Sequence, residues 1–73
     1  MDNVKGYNAL HPTMKNLFLK IYRKHLSSMG KEAREKHTID KIVEIKVNQS
    51  ESCFEVYYKY GDWYKYYPNG TWG

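Results

Sequence analysis

The stretch from Cys53 to Gly73, CFEVYYKYGDWYKYYPNGTWG, alternates its side chains with a period of two and is interrupted twice by turn-forming residues. That period belongs to a β-strand, in which successive side chains point to opposite faces. Phe, Val, Tyr and Trp are strand formers, so the end of the chain is confined to short antiparallel strands. Phe54, Val56, Tyr58 and Tyr60 share an inner face, while Cys53, Glu55, Tyr57 and Lys59 share the outer one. Gly61-Asp62 suits a two-residue type II′ hairpin loop with Gly first. In that register Tyr60 faces Trp63. Trp63, Lys65 and Tyr67 then point inward, and Tyr64 and Tyr66 lie outward beside Tyr57 and Lys59. A three-residue loop would swap the assignment, since a one-residue slip turns every side chain over. The two-residue loop is preferred because it buries Trp63 and lets Lys65 snorkel from an edge strand. Pro68-Asn69-Gly70 marks a second turn, with Pro presetting φ and Gly supplying a left-handed residue. A three-residue loop there folds Thr71 and Trp72 back against Tyr67 and Tyr66.

Something must cover the inner face. The segment PTMKNLFLKIYRKHLSSMG, residues 12–30, has helical period. Met14, Leu17, Phe18, Ile21 and His25 follow the i, i+3, i+4, i+7 spacing, and Leu19, Tyr22 and Leu26 widen the stripe. Lys20, Arg23 and Lys24 gather on the opposite, basic side with Asn16 and Ser27. His11 is the expected N-cap if Pro12 takes the first helical position, where a missing N–H costs nothing, with Thr13 as the alternative; Ser27, Ser28 and Gly30 are stop signals. Residues 31–37, KEAREKH, form one or two further turns begun from Ser28 or a loose extension, with too few apolar residues to dock strongly. Residues 38–48, TIDKIVEIKVN, are rich in β-branched aliphatics and favour a strand, with Ile39, Lys41, Val43, Ile45 and Val47 on one face. Asp40, Ile42, Glu44 and Lys46 take the other, Ile42 being the exception to the pattern. Residues 48–52 are a polar turn. Residues 1–11 form a short arm that Tyr7 and Leu10 pin to the core.

Together these elements predict an α+β fold in one domain, 1–73: an arm over 1–11, a helical part over 12–37 and an antiparallel sheet over 38–73. One N-terminal amphipathic helix packs on a three-stranded β-meander. A chain of 73 residues buries only roughly 60% of its unfolded surface. A single cysteine, Cys53, rules out an internal disulfide, so large aromatic side chains must supply the core.

The same residues bound the function. Twelve Lys and Arg against eight Asp and Glu give a formal net charge of +4, which favours anionic partners. Basic charge interleaved with rings on a sheet is the chemistry of single-strand recognition. The expected ligand-binding face is Tyr57, Lys59, Tyr64 and Tyr66, with Lys20, Arg23 and Lys24 as a secondary basic face. Nucleic acid is therefore the first partner class. A protein-binding regulator, inhibitor or adaptor is the alternative, as monomer or homodimer, and the size also suits small phage or mobile-element proteins. Surplus Tyr and Trp are typical of binding hot spots. His11, His25, His37 and Cys53 have no metal-ligand spacing, and His25 sits on the helix's apolar stripe. Cys53 opens a strand with nothing to activate it, so neither catalysis, metal nor cofactor is expected. The N-terminus has no apolar signal region and no apolar run is long enough to span a membrane. With a lone thiol this suits a reducing, cytoplasmic setting without membrane association. The tail GDWYKYYPNGTWG resembles an aromatic wall-binding repeat of the choline-binding kind, over its last 13 residues and once. Such repeats need neighbours to bury their faces, so the likeness is read as shared turn and aromatic usage.

Overall fold

The structure is a computed structural model that describes residues 4–73; the first three residues of the expected arm lie outside it. Helix α1 spans Pro12–Ser27. His11 caps it, its ring Nδ1 accepting from the Thr13 N–H at 3.2 Å, and Pro12 occupies the first turn as the sequence predicts. Phe18, Ile21, Tyr22 and His25 are its buried face. A six-residue helix, α2 (Lys31–Lys36), follows from an N-cap at Gly30, two residues beyond the expected Ser28, and buries none of its own side chains. A 3₁₀ turn over Ile39–Lys41 leads into strand β1 (Ile42–Asn48), which replaces the longer strand expected from Thr38.

Strands β1, β2 (Cys53–Tyr58) and β3 (Trp63–Tyr66) make one antiparallel sheet in the order β1-β2-β3. Two details differ from the sequence reading. In β1, Ile42 pairs with Tyr58 and Glu44 with Tyr57, so Val43 is an extra residue in a β-bulge. The bulge turns Val43 out and lets both Ile42 and Ile45 face the core. An unbroken strand would have left Ile42 in water. In the β2–β3 hairpin, Tyr57 pairs with Trp63, Val56 with Tyr64, Glu55 with Lys65 and Phe54 with Tyr66. The loop is Lys59-Tyr60-Gly61. The Gly61 N–H reaches the Tyr58 carbonyl at 3.1 Å and the Tyr58 N–H reaches the Asp62 carbonyl at 2.9 Å. Gly61 has φ +97°, the left-handed third residue of a three-residue hairpin loop. The expected two-residue loop is thereby corrected. Trp63 and Lys65 lie outward, Tyr64 and Tyr66 lie inward, and Tyr60 is exposed at the loop tip. The balance is physical: the other register would put the Lys65 ammonium on the core side, whereas the observed one buries Tyr66 and leaves Lys65 to pair with Glu51 at 2.8 Å.

Helix α1 lies across the inner face. Phe18 is at the centre, 5.8 Å from the Phe54 ring and 5.5 Å from Tyr66 between centroids. Both sheet edges are partly closed by chain ends. On the β1 side, the Lys5 N–H donates to the Val43 carbonyl at 3.1 Å and the Lys5 carbonyl accepts from Ile45 at 2.8 Å, while Leu10 is buried and Tyr7 packs on the core as expected of the arm. On the β3 side, Tyr67 and Thr71 pair across Pro68-Asn69-Gly70, and Lys65 and Gly73 exchange backbone bonds at 2.9 and 3.0 Å. This is the predicted return of Thr71 and Trp72.

Candidate nucleic-acid interface

The outer face of the sheet carries the exposed rings. Tyr57 and Trp63, cross-strand partners, stack with centroids 5.6 Å apart and planes 14° from parallel. Trp63 is 49% exposed. The Lys46 ammonium from β1 sits 5.4 Å from the Tyr57 ring centre, within cation–π range. The Tyr57 hydroxyl donates to Glu55 at 2.9 Å, and Asn48 donates to the other Glu55 oxygen at 3.0 Å. Those two bonds hold the Glu55 carboxyl below its ordinary pKa, and the Tyr57 bond raises the phenol. The result is a fixed Tyr57 ring held between Trp63 and Lys46, with the exposed ring surface supplied by Trp63. Lys59 and Tyr60 stand at the adjoining hairpin tip, both exposed. Among the described residues neither Lys46 nor Lys59 has a carboxylate within salt-bridge distance, whereas Lys41 and Lys65 are paired with Asp40 and Glu51.

Of the four residues expected on this face, Tyr57 is there and Lys59 borders it. Tyr64 and Tyr66 are not. Tyr66 is fully buried, and its hydroxyl lies 2.8 Å from the His25 Nδ1 and 2.7 Å from the Tyr58 hydroxyl. Tyr64 packs edge-on against His25 at 4.5 Å. Burial raises the Tyr58 and Tyr66 phenols and pushes Tyr22 up to about 12. It lowers His25 to about 4, with His37 adding repulsion, so the His25 ring is neutral at pH 7. These groups hold α1 to the sheet: a hydroxyl relay satisfies polar atoms that the core would otherwise leave bare. Trp63 is the member of the outer face that the two-residue loop concealed; Lys46, on β1, is on that face in either register. The signal for Trp63 was Gly61, whose freedom at positive φ fits the third position of a three-residue loop as well as the first of a two-residue one.

The secondary basic set, Lys20, Arg23 and Lys24, is exposed on α1. Because α1 covers the inner face, those side chains stand on the opposite side of the molecule from Trp63 and Lys46, and the fold does not unite the two basic surfaces. Cys53 is buried, and burial with the nearby Glu51 raises its thiol, which opposes nucleophilic use. Among the described residues no group of three His, Cys, Asp or Glu side chains is arranged to hold a metal, and no helix is long and apolar enough to cross a membrane.

The fold and face define a small helix-on-meander α+β domain with an aromatic, lysine-flanked outer sheet. Compared with known proteins, the chain matches no protein-family model, no curated protein and no solved structure.

Proposed function

We infer that the protein is a small non-enzymatic binding module whose outer sheet face takes single-stranded nucleic acid. The carrying observation is the half-exposed Trp63 stacked on Tyr57, with the Lys46 ammonium over the Tyr57 ring. Every base has a π-face, so an exposed ring offers sequence-tolerant stacking, and unpaired lysines meet the phosphates on either side. Lys46, on the outer face, and Lys59, at its border, support that reading. Trp63→Ala removes the exposed ring without touching the core. Fluorescence anisotropy with a labelled 12-nucleotide oligothymidine is expected to show about tenfold weaker binding or more, one base–ring stack being worth roughly 1–3 kcal/mol. An unchanged affinity in Trp63→Ala rejects the reading.

A protein partner on the same face is the second reading. Glu44 and Glu55 share that face with the lysines and dilute its positive field, and exposed Trp and Tyr are hot-spot residues. Light scattering after size exclusion distinguishes self-association: a dimer dispersed by Trp63→Ala supports this reading, and a monomer at all concentrations removes a second copy as the partner.

A further inference from the structure

A different surface carries its own site. Between the first half of α1, the β1–β2 hairpin and the Pro68 turn lies an open groove of about 280 Å³. Its floor and walls are apolar, made chiefly by Met14, Leu17, Val47, Phe54 and Pro68. Val47 is exposed there although it sits in the strand. Leu17 and Pro68 also line a second, smaller hollow, whose far side is formed by Lys20, Lys24 and the Asn69-Gly70 turn. The two hollows therefore run end to end. Met14, Leu17, Lys20 and Lys24 follow one side of the helix, changing from apolar to cationic along it. Lys24 reaches over the turn closely enough that a Cβ on Gly70 would lie 2.9 Å from its ammonium nitrogen. Neither Lys20 nor Lys24 has a carboxylate within salt-bridge distance among the described residues.

We propose that this groove docks an extended acidic peptide of a partner protein, one apolar side chain filling the space between Leu17, Val47 and Phe54 and a carboxylate about three residues along the peptide meeting Lys20 and Lys24. The volume favours an anchor side chain over a whole small molecule, since small-molecule pockets run from about 300 to 1,000 Å³ and enclose their ligand. The spacing follows from the helix. From the Met14–Leu17 end to the Lys20–Lys24 end is about 10 Å at 1.5 Å per residue, which an extended peptide covers in about three residues at 3.3 Å each. Charge complementarity selects the acidic class: the site offers two cations on its exit and no anion among its lining residues. This site opens between α1 and the β1–β2 hairpin, shares no lining residue with the aromatic sheet face, and does not depend on the reading given for that face.

The test uses the full chain and a fluorescein-labelled octapeptide of Gly and Ser carrying one Leu and a Glu pair three and four positions further on. Saturable binding is expected. It should weaken about tenfold or more when the peptide's Leu is replaced by Ser, when its Glu pair is replaced by Gln, in the exposed double variant Lys20→Glu with Lys24→Glu, and in Val47→Asp, as losses of desolvated apolar and charged contacts do. Trp63→Ala should bind the peptide as the parent does. No binding by the parent at millimolar peptide overturns the proposal. So does binding that is indifferent to the Leu, which marks simple ion pairing. Binding of decanoate through the same residues without the peptide makes a small amphiphile the occupant. Loss of oligothymidine binding in Lys20→Glu with Lys24→Glu, with no peptide binding in the parent, assigns the lysines to phosphates. Circular dichroism of each variant separates misfolding from lost contact.

Discussion

At the scale of single residues, Gly6 is the glycine with the least room for a side chain. Its φ is +88°, and an added Cβ would sit 2.1 Å from the Ile45 carbonyl oxygen. That oxygen belongs to the strand against which the arm pairs, so relief requires the arm to leave β1. Gly6→Ala should therefore cost at least about 2 kcal/mol, more than the roughly 1–2 kcal/mol of left-handed strain alone. The urea midpoint reports it, and an unchanged midpoint would show the arm to be dispensable. His25 sets a pH dependence. Its pKa is lowered from 6.5 to about 4 in the fold, so the unfolded chain takes up the proton first as pH falls. Stability is fully present above pH 6.5 and is lost as pH falls toward 4, at up to about 1.4 kcal/mol per unit. Protonation also forces the His25 Nδ1 to donate, reversing the relay through the Tyr66 and Tyr58 hydroxyls. Urea midpoints at pH 7 and pH 4.5 should differ for the parent and differ less for His25→Gln. Equal differences would remove His25 as the cause.

At the scale of elements, α2 is held at one point. It buries none of its own residues, but His37, its C-cap, is buried. The His37 ring lies with Nδ1 2.6 Å from the Ala33 carbonyl and Nε2 3.0 Å from Asp62, and its own carbonyl accepts from the Tyr22 hydroxyl at 2.7 Å. The ring thus clasps α2 to the β2–β3 hairpin. Asp62→Ala should lower amide-exchange protection in α2 and leave β1 and β2 protected; uniform protection would mean that α2 is held by something else. The elements themselves are legible in the sequence, because period, caps and turn residues are local signals: His11-Pro12 opens the helix, and Pro68-Asn69-Gly70 returns the tail. The bulge at Val43 and the hairpin register are not, because tertiary burial decides them. Nothing local tells that Ile42 and Ile45 must both reach the core. Nor does Gly61 alone reveal whether the sheet will bury Trp63 beside Lys65 or Tyr66 beside Tyr64. Half of the candidate site moved with that one choice: Tyr57 and Lys59 stayed at the outer face, Tyr64 and Tyr66 went to the core, and Trp63 replaced them.

At the scale of the molecule, the chain is a two-layer domain whose core is largely aromatic, from Phe18 through Phe54 to Tyr58 and Tyr66. The layers leave two candidate binding surfaces: rings with Lys46 and Lys59 on the outer sheet face, and the lysine-ended groove between α1 and the β1–β2 hairpin. In the proposed reading two lysines of the sheet surface, without a carboxylate in salt-bridge distance among the described residues, meet a strand. Its affinity should fall with salt at a log–log slope near −1.4, at about −0.7 per neutralised phosphate of a single strand, and Lys46→Ala should bring it near −0.7. A slope several times steeper would indicate that the α1 lysines take phosphates as well. The most direct measurement of the binding face is backbone-amide shift mapping of the folded chain during titration with oligothymidine. Shifts are expected to concentrate at Lys46, Tyr57, Lys59 and Trp63, with α1 unmoved. Shifts confined to Lys20, Arg23 and Lys24, or none at saturating oligonucleotide, would contradict the proposed reading.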